Sequence, residues 1–133
     1  MHDGQASRSS IEAARYIDAV RQRHNADAEG ALHARLALAG EYLVANLYDD
    51  AVELFVAAVI DGHRIWGPDD CRTLAIRLDL GDALLDAGRP LEAIIEQSNL
   101  QLDVVRGLGP EHLLAQRCRA AMLASSAAYE ALL

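Results

Sequence analysis

The chain has 133 residues, of which 52% are hydrophobic and 24% are charged, and these values predict one soluble globular domain rather than a disordered chain. All twelve basic residues are Arg, and the twenty acidic residues give a net charge of −8. An acidic balance of this kind disfavours direct binding to nucleic acid or to an acidic membrane surface. The longest apolar run is too short to span a membrane and the N-terminal stretch has no signal-type apolar core, so we expect a cytoplasmic protein.

The hydrophobic pattern predicts about six helices and no strand, which makes the fold class all-α. Ser9 and Glu12 form a possible capping box for a first helix over about 10–24, and a second helix is expected over about 31–45. After a turn at 46–49, with Asp49 or Asp50 as N-cap, a third helix is expected over about 50–65.

A Gly-Pro-Asp-Asp junction at 67–70 precedes the next helix, with Asp69 or Asp70 as its expected N-cap. The apolar residues of this helix fall on two faces, which predicts burial on two sides. Gly88 is expected just past the end of this helix, and Pro90 near the start of the following one, which is expected over about 91–107. The C-terminal helix follows a second Gly-Pro junction at 109–110.

The chain repeats itself with a period of 42 residues. Eleven identities keep one register without a gap, and they include Leu36 with Leu78, Gly67 with Gly109 and Pro68 with Pro110. One helical hairpin cannot bury its own apolar faces, whereas stacked copies can. The repeat predicts one domain built of a frayed N-terminus (1–9), a leading helix (10–30), repeat 1 (31–70), repeat 2 (71–112) and a partial repeat 3 (113–133).

These residues resemble a tetratricopeptide repeat of the 42-residue type found in kinesin light chains and in many actinobacterial regulators. The resemblance covers about residues 30–133 and is carried by Leu80-Gly81, Leu84, Gly88 and Ala93, and in the first copy by Leu38-Ala39, Tyr42, Asn46 and Ala51. The chain departs from the family at Gln97, where an aromatic residue equivalent to Phe55 is expected. The resemblance implies a short right-handed solenoid of antiparallel hairpins, a binding or assembly role, and no chemistry of its own.

Arg35, Arg77 and Arg119 recur at the repeat period, and two explanations are open. They could form an anion-binding stripe, or they could make ion pairs inside each hairpin, Arg35 with Asp61 and Arg77 with Asp103. We favour the ion pairs because the Asp recurs with the Arg. Arg119 lacks a third Asp, so we expect it to be free or paired with another chain.

No residue pattern indicates catalysis, a metal site or a cofactor site. Cys71 and Cys118 are predicted to be reduced, partly buried thiols, and the five histidines lack metal-ligand spacing. The paired aspartates at helix starts are more typical of caps than of acid–base pairs, and the Gly-Pro junctions are not phosphate loops. We therefore predict no enzyme and no cofactor.

The C-terminal helix is apolar around most of its circumference, whereas the last helix of a solenoid usually turns a polar face to water. An open end of this kind exposes an apolar patch that needs a partner. We predict a homodimer through this helix, with Met122, Leu123, Tyr129 and Leu132 as the self-association residues.

The sequence thus predicts a non-enzymatic module that binds a partner protein or peptide through a concave face lined by the first helix of each copy. The candidate partner-binding residues are Arg35, Tyr42, Asp82, Asp86 and Arg119. The face would be acidic in the second copy and would favour a partner that carries Arg or Lys. The alternative is a sensor or oligomerisation fragment of a larger actinobacterial transcriptional or signalling regulator.

Overall fold

The computed structural model describes residues 2–133, with side chains from residue 9 onward. The described residues form five α-helices and no strand, which confirms the all-α prediction. The helices are α1 (His2–Val44), α2 (Tyr48–Ile65), α3 (Cys71–Asp86), α4 (Pro90–Leu108) and α5 (Leu113–Ala131). The sequence predicts about six helices, and the difference lies at the N-terminal end.

The break that the sequence predicts between residues 24 and 31 does not exist, since α1 runs unbroken through it. The segment contains no Pro, and the one helix-weakening residue, Gly30, costs only about 1 kcal/mol relative to Ala. The capping box is also wrong, because Ser9 and Glu12 lie inside α1. At 1.5 Å per residue, α1 is roughly 64 Å long.

The predicted N-caps are right at one helix and wrong at another. Asp70 caps α3, where its Oδ1 accepts a hydrogen bond from the backbone N–H of Arg72 at 2.9 Å. At α2 the cap is Leu47, which makes no side-chain cap bond, and Asp49 and Asp50 lie in the first helical turn. Carboxylates in the first turn still interact favourably with the helix dipole. The sequence therefore correctly predicted acidic residues at the start of α2, but it placed them at the wrong position, the N-cap.

The glycines of the two Gly-Pro junctions have the same φ angle. Gly67 and Gly109 each have φ +93°, a left-handed value that favours glycine. After the second junction, His112 takes the place of Asp70, and its Nδ1 accepts from the backbone N–H of Leu114 at 3.1 Å. The 42-residue repeat of the sequence is therefore also visible in the glycine φ and in the side-chain cap that follows each junction.

The buried apolar side chains form two clusters, and α3 belongs to both. The first cluster joins α1, α2 and α3, with Ile76, Leu80 and Ala83 as contributions of α3. The second joins α3, α4 and α5, with Leu74 and Leu78 from α3. This confirms the prediction that the helix of the second copy is buried on two sides.

Each helix packs against its neighbours in sequence, and α3 also contacts α5. The N-terminal half of α1 extends beyond this core, since every residue from Ser9 to Asp27 is exposed. We call residues 9–27 the arm. Within the described residues, no helix has the length and apolarity needed to cross a membrane.

Gln97 is a polar side chain in a fully apolar position. It is completely buried on α4, and neither its Nε2 nor its Oε1 has a hydrogen-bond partner among the described residues. It packs so closely on Gly81 that a Cβ added at Gly81 would lie 3.0 Å from the Gln97 Cγ. Unpaired buried amide groups cost free energy, so this site weakens the core.

We predict that Gln97→Met raises the free energy of unfolding by about 1–2 kcal/mol, because it removes the unpaired polar atoms at similar volume. Urea denaturation followed by circular dichroism measures the change. Gln22→Met, at an exposed position on α1, is the matched control and should have little effect. A loss of stability in Gln97→Met would show that the amide has a partner in solution.

Candidate functional site

A groove between α1 and α3 combines an apolar floor with a row of carboxylates. Its volume is about 340 Å³. We call it the acidic groove, and its lining residues are Leu36, Leu43, Phe55, Asp79, Asp82, Ala83 and Asp86. The spacing of the three aspartates along α3, at 79, 82 and 86, places them on one side of the helix. The arrangement suits a ligand that carries a positive charge next to an apolar group.

The surroundings of the groove disfavour the charged form of two of its carboxylates. Burial raises the pKa of Asp79. Burial also raises the pKa of Asp82, and the neighbouring charges of Asp79 and Asp86 raise it further. Arg117 of α5 offsets part of this effect at both carboxylates, although it makes no salt bridge with either. All three side chains keep contact with solvent, which screens part of this repulsion.

The periodic arginines are engaged inside their own hairpins, as the ion-pair interpretation predicts. Arg77 Nη1 donates to Asp103 Oδ2 at 2.7 Å, and Arg35 donates to Asp61 in the same way. The hydrogen bond from Arg77, with smaller contributions from the charges of Arg77 and Arg106, lowers the pKa of Asp103. Arg119 has no carboxylate partner among the described residues and donates instead to the Pro110 carbonyl oxygen at 3.2 Å.

The five predicted partner-binding residues therefore do not form one surface. Asp82 and Asp86 line the acidic groove, whereas Arg35 is paired with Asp61 and Tyr42 packs against the first core cluster. Arg119 lies on α5, does not line the groove, and donates to the Pro110 carbonyl oxygen. Sequence reasoning missed Asp79, although its spacing from Asp82 on the same helix was a signal that could have found it.

Comparison of the chain with protein-family models, curated proteins and solved structures found no match.

Three of the predicted self-association residues lie on α5, and the fourth, Leu132, is the C-cap residue that follows it. Met122 and Leu123, together with Arg119 and Ser126, line a shallow apolar hollow of about 330 Å³. Leu123 is 74% exposed and Leu132 is 70% exposed, while Tyr129 is partly buried. The exposed apolar patch that the sequence predicts is present on this helix.

A second polar cluster, around Trp66, was not predicted. The indole Nε1 donates to Glu29 Oε1 at 3.1 Å, and the Arg72 guanidinium lies 4.4 Å from the ring centroid. His33 faces the same ring at 6.2 Å between centroids. Because Glu29 and His33 belong to α1, the cluster ties this helix to the first Gly-Pro junction. Glu29 is 37 residues from Trp66, so no local sequence pattern could have paired them.

The two cysteines differ in environment. Cys118 is buried and its Sγ donates to the Gln97 carbonyl oxygen at 3.2 Å, and burial raises the pKa of the thiol. Cys71 is exposed, which corrects the prediction that both thiols are partly buried, because it occupies the open first turn of α3. Among the described residues, no group of three or more His, Cys, Asp or Glu side chains could hold a metal ion.

We predict a coupling energy of about 1 kcal/mol at neutral pH between Arg77 and Asp103 in a double-mutant cycle of alanine variants. The same cycle on Arg35 and Asp61 should give less, since the Arg35 side chain is 44% exposed and that of Arg77 is 13% exposed. Denaturation curves measure both.

The sign of the pH dependence follows from the lowered pKa of Asp103. Its stabilising effect is complete above the ordinary Asp pKa of 3.8 and is lost as the pH falls from there through the lowered folded-state value. An absence of coupling at neutral pH would contradict the ion pair.

Asp82→Asn should raise the free energy of unfolding at neutral pH by about 0.5 kcal/mol, a value kept small because the side chain is exposed. A raised folded-state pKa means that stability falls as the pH rises through the window above the ordinary value of 3.8. The gain should vanish below that value, where the carboxyl is protonated in both states. Asp27→Asn on the arm is the control. A gain that does not depend on pH would have another cause.

Proposed function

We propose that this protein is a non-enzymatic interaction module whose acidic groove binds a partner segment that carries Arg or Lys beside apolar side chains. The observation that carries the proposal is the row of Asp79, Asp82 and Asp86 above an apolar floor. Perturbed carboxylates grouped in a groove are typical of binding sites.

The electrostatics of the groove favour a cationic ligand in particular. The like charges of Asp79 and Asp86 add to the cost of ionising Asp82. A guanidinium or ammonium group placed between these carboxylates would reverse that cost, because an opposite charge stabilises the ionised form. Apolar side chains of the partner would bury surface against Leu36, Leu43 and Phe55, which adds affinity that does not depend on salt.

The tetratricopeptide resemblance supports the same role. The helical hairpins, the repeated junctions and the paired Arg–Asp contacts at the repeat period are all consistent with a short right-handed solenoid. In such a solenoid α1, α3 and α5 would line the inner face, and the acidic groove would lie on it. Solenoids of this kind use the inner face to hold extended or helical peptides.

Self-association through α5 is a second candidate function, favoured by the exposure of Leu123 and Leu132. It corresponds to a homodimer or to the oligomerisation part of a larger regulator. It uses a different surface from the acidic groove, so one role does not exclude the other.

We expect short peptides of mixed Arg and Leu residues to bind, and matched peptides with Glu in place of Arg not to bind. Fluorescence polarisation measures the affinity, which should fall with added salt. The double variant Asp82→Asn with Asp86→Asn should weaken binding roughly tenfold or more. A matched variant with Asp27→Asn and Glu130→Gln, both exposed and outside the groove, should bind normally. Equal binding of the Arg and Glu peptides would refute the proposal.

A further inference from the structure

One face of α5 lacks the helix that covers the equivalent face of α3. On α3, Arg77 pairs with Asp103 of α4 and Gly81 packs on Gln97 of α4. The residues 42 positions later are Arg119 and Leu123, and both are exposed. Leu74 and Leu78 of α3 are buried with α4, whereas their counterparts Gln116 and Ala120 are exposed. The open face of α5 is therefore the place where a second helix of a hairpin would lie.

The arm has the apolar stripe of such a second helix, although Ala19 stands where Asp61 and Asp103 pair with Arg. Shifted by the same 42 residues, Ala13, Tyr16 and Val20 fall on positions that are buried in both α2 and α4. Those positions are Phe55, Ala58 and Gly62 in α2, and Gln97, Leu100 and Val104 in α4. Yet Tyr16 is 68% exposed and Val20 is 42% exposed on the arm. The arm thus has the apolar stripe of a packed helix without a neighbour to pack on.

The sizes of the facing residues are complementary at one position. In repeat 1 the small Ala39 on the first helix is matched by the large Phe55 on the second helix. In repeat 2 the equivalent residues are the small Gly81 and the large Gln97. At the open face the first-helix residue is the large Leu123, and in the same register the arm offers the small Ala13. A segment with Phe at this position would clash with Leu123, whereas Ala leaves room for it.

We propose that the arm of a second copy of this chain packs on the open face of α5 and completes the third hairpin. The arm cannot fold back onto its own α5, because α1 is one unbroken helix that carries the arm away from the core. The contact joins two different surfaces of the chain, so it either closes into a pair in which each arm lies on the partner's α5 or continues as an open chain. The inference rests on the second candidate function, self-association through α5, and names the segment that occupies it.

Disulfide trapping between two separately labelled copies tests this contact. One preparation carries Cys71→Ser with Ala13→Cys, and the other carries Cys71→Ser with Leu123→Cys. Mixing them under mild oxidation should give a covalent dimer, because the contact places the two Cβ atoms within about 4 Å, as a disulfide requires. Each preparation alone is the control and should remain largely uncrosslinked.

The pattern of crosslinks separates this inference from self-association in general. Crosslinking of the Leu123→Cys preparation with itself would support self-association through α5, but it would overturn the proposed role of the arm. Crosslinking of the Ala13→Cys preparation with itself would show that two arms pair with each other and would overturn the proposal. An unmodified chain that remains a monomer at high micromolar concentration in sedimentation velocity would overturn both the arm contact and self-association.

Variants that exchange side-chain sizes provide a second measurement. Leu123→Asp should raise the dissociation constant roughly tenfold or more, because it removes a central apolar anchor. Leu102→Asp is the matched control, since Leu102 is 69% exposed on α4 and outside this contact. Ala13→Phe should weaken association in the same way, and Ala13→Phe with Leu123→Gly should restore it. Restoration is decisive, because a folding defect in either single variant would not be repaired by the other.

Discussion

The burial of α3 on two sides is the constraint on which the rest of the structure depends. Its apolar residues supply both core clusters, so the first hairpin and the C-terminal helix are held together through this one helix. A helix buried on two sides keeps only a narrow strip in contact with solvent. Asp79, Asp82 and Asp86 occupy that strip, since carboxylates on either buried face would have destroyed a core. The acidic groove is thus a direct consequence of how α3 is packed.

The repeat determines where hairpins turn and which residues pair, but it does not fix how well each copy is packed. Gly67 and Gly109 share a φ of +93°, and the Arg–Asp pairs recur at the same spacing. Core quality differs between the copies, because Gln97 takes the place of Phe55 and leaves two unpaired polar atoms. Leu36 and Leu78 each pack on a cluster formed with their own hairpin, yet only Leu78 is fully buried. Leu78 lies on α3, which packs between α2 and α4, whereas Leu36 lies on α1, which packs mainly against α2.

The two ends of the repeat array differ from its middle in a related way. At one end the arm presents an apolar stripe, and at the other α5 presents an uncovered apolar face. Exposed apolar patches of this kind are typical of interaction sites. The acidic groove, in contrast, lies between two repeats and is complete within one chain. The groove proposed for partner binding and the face proposed for self-association are therefore separate parts of the surface.

The sequence alone determined the all-α class and the turns after Asp86 and Leu108, narrowed the cap of α3 to Asp69 or Asp70, and favoured Arg–Asp pairing within hairpins. These features depend on contacts that are local or that recur at the period, and a single sequence shows both. The tertiary structure decided the continuity of α1, the cap of α2 and the convergence of the aspartates with Leu36, Leu43 and Phe55. It also decided the Trp66 cluster. Each of these depends on which face of a helix meets another helix, or on a small difference in helix propensity, and neither quantity is fixed by residue spacing along the chain.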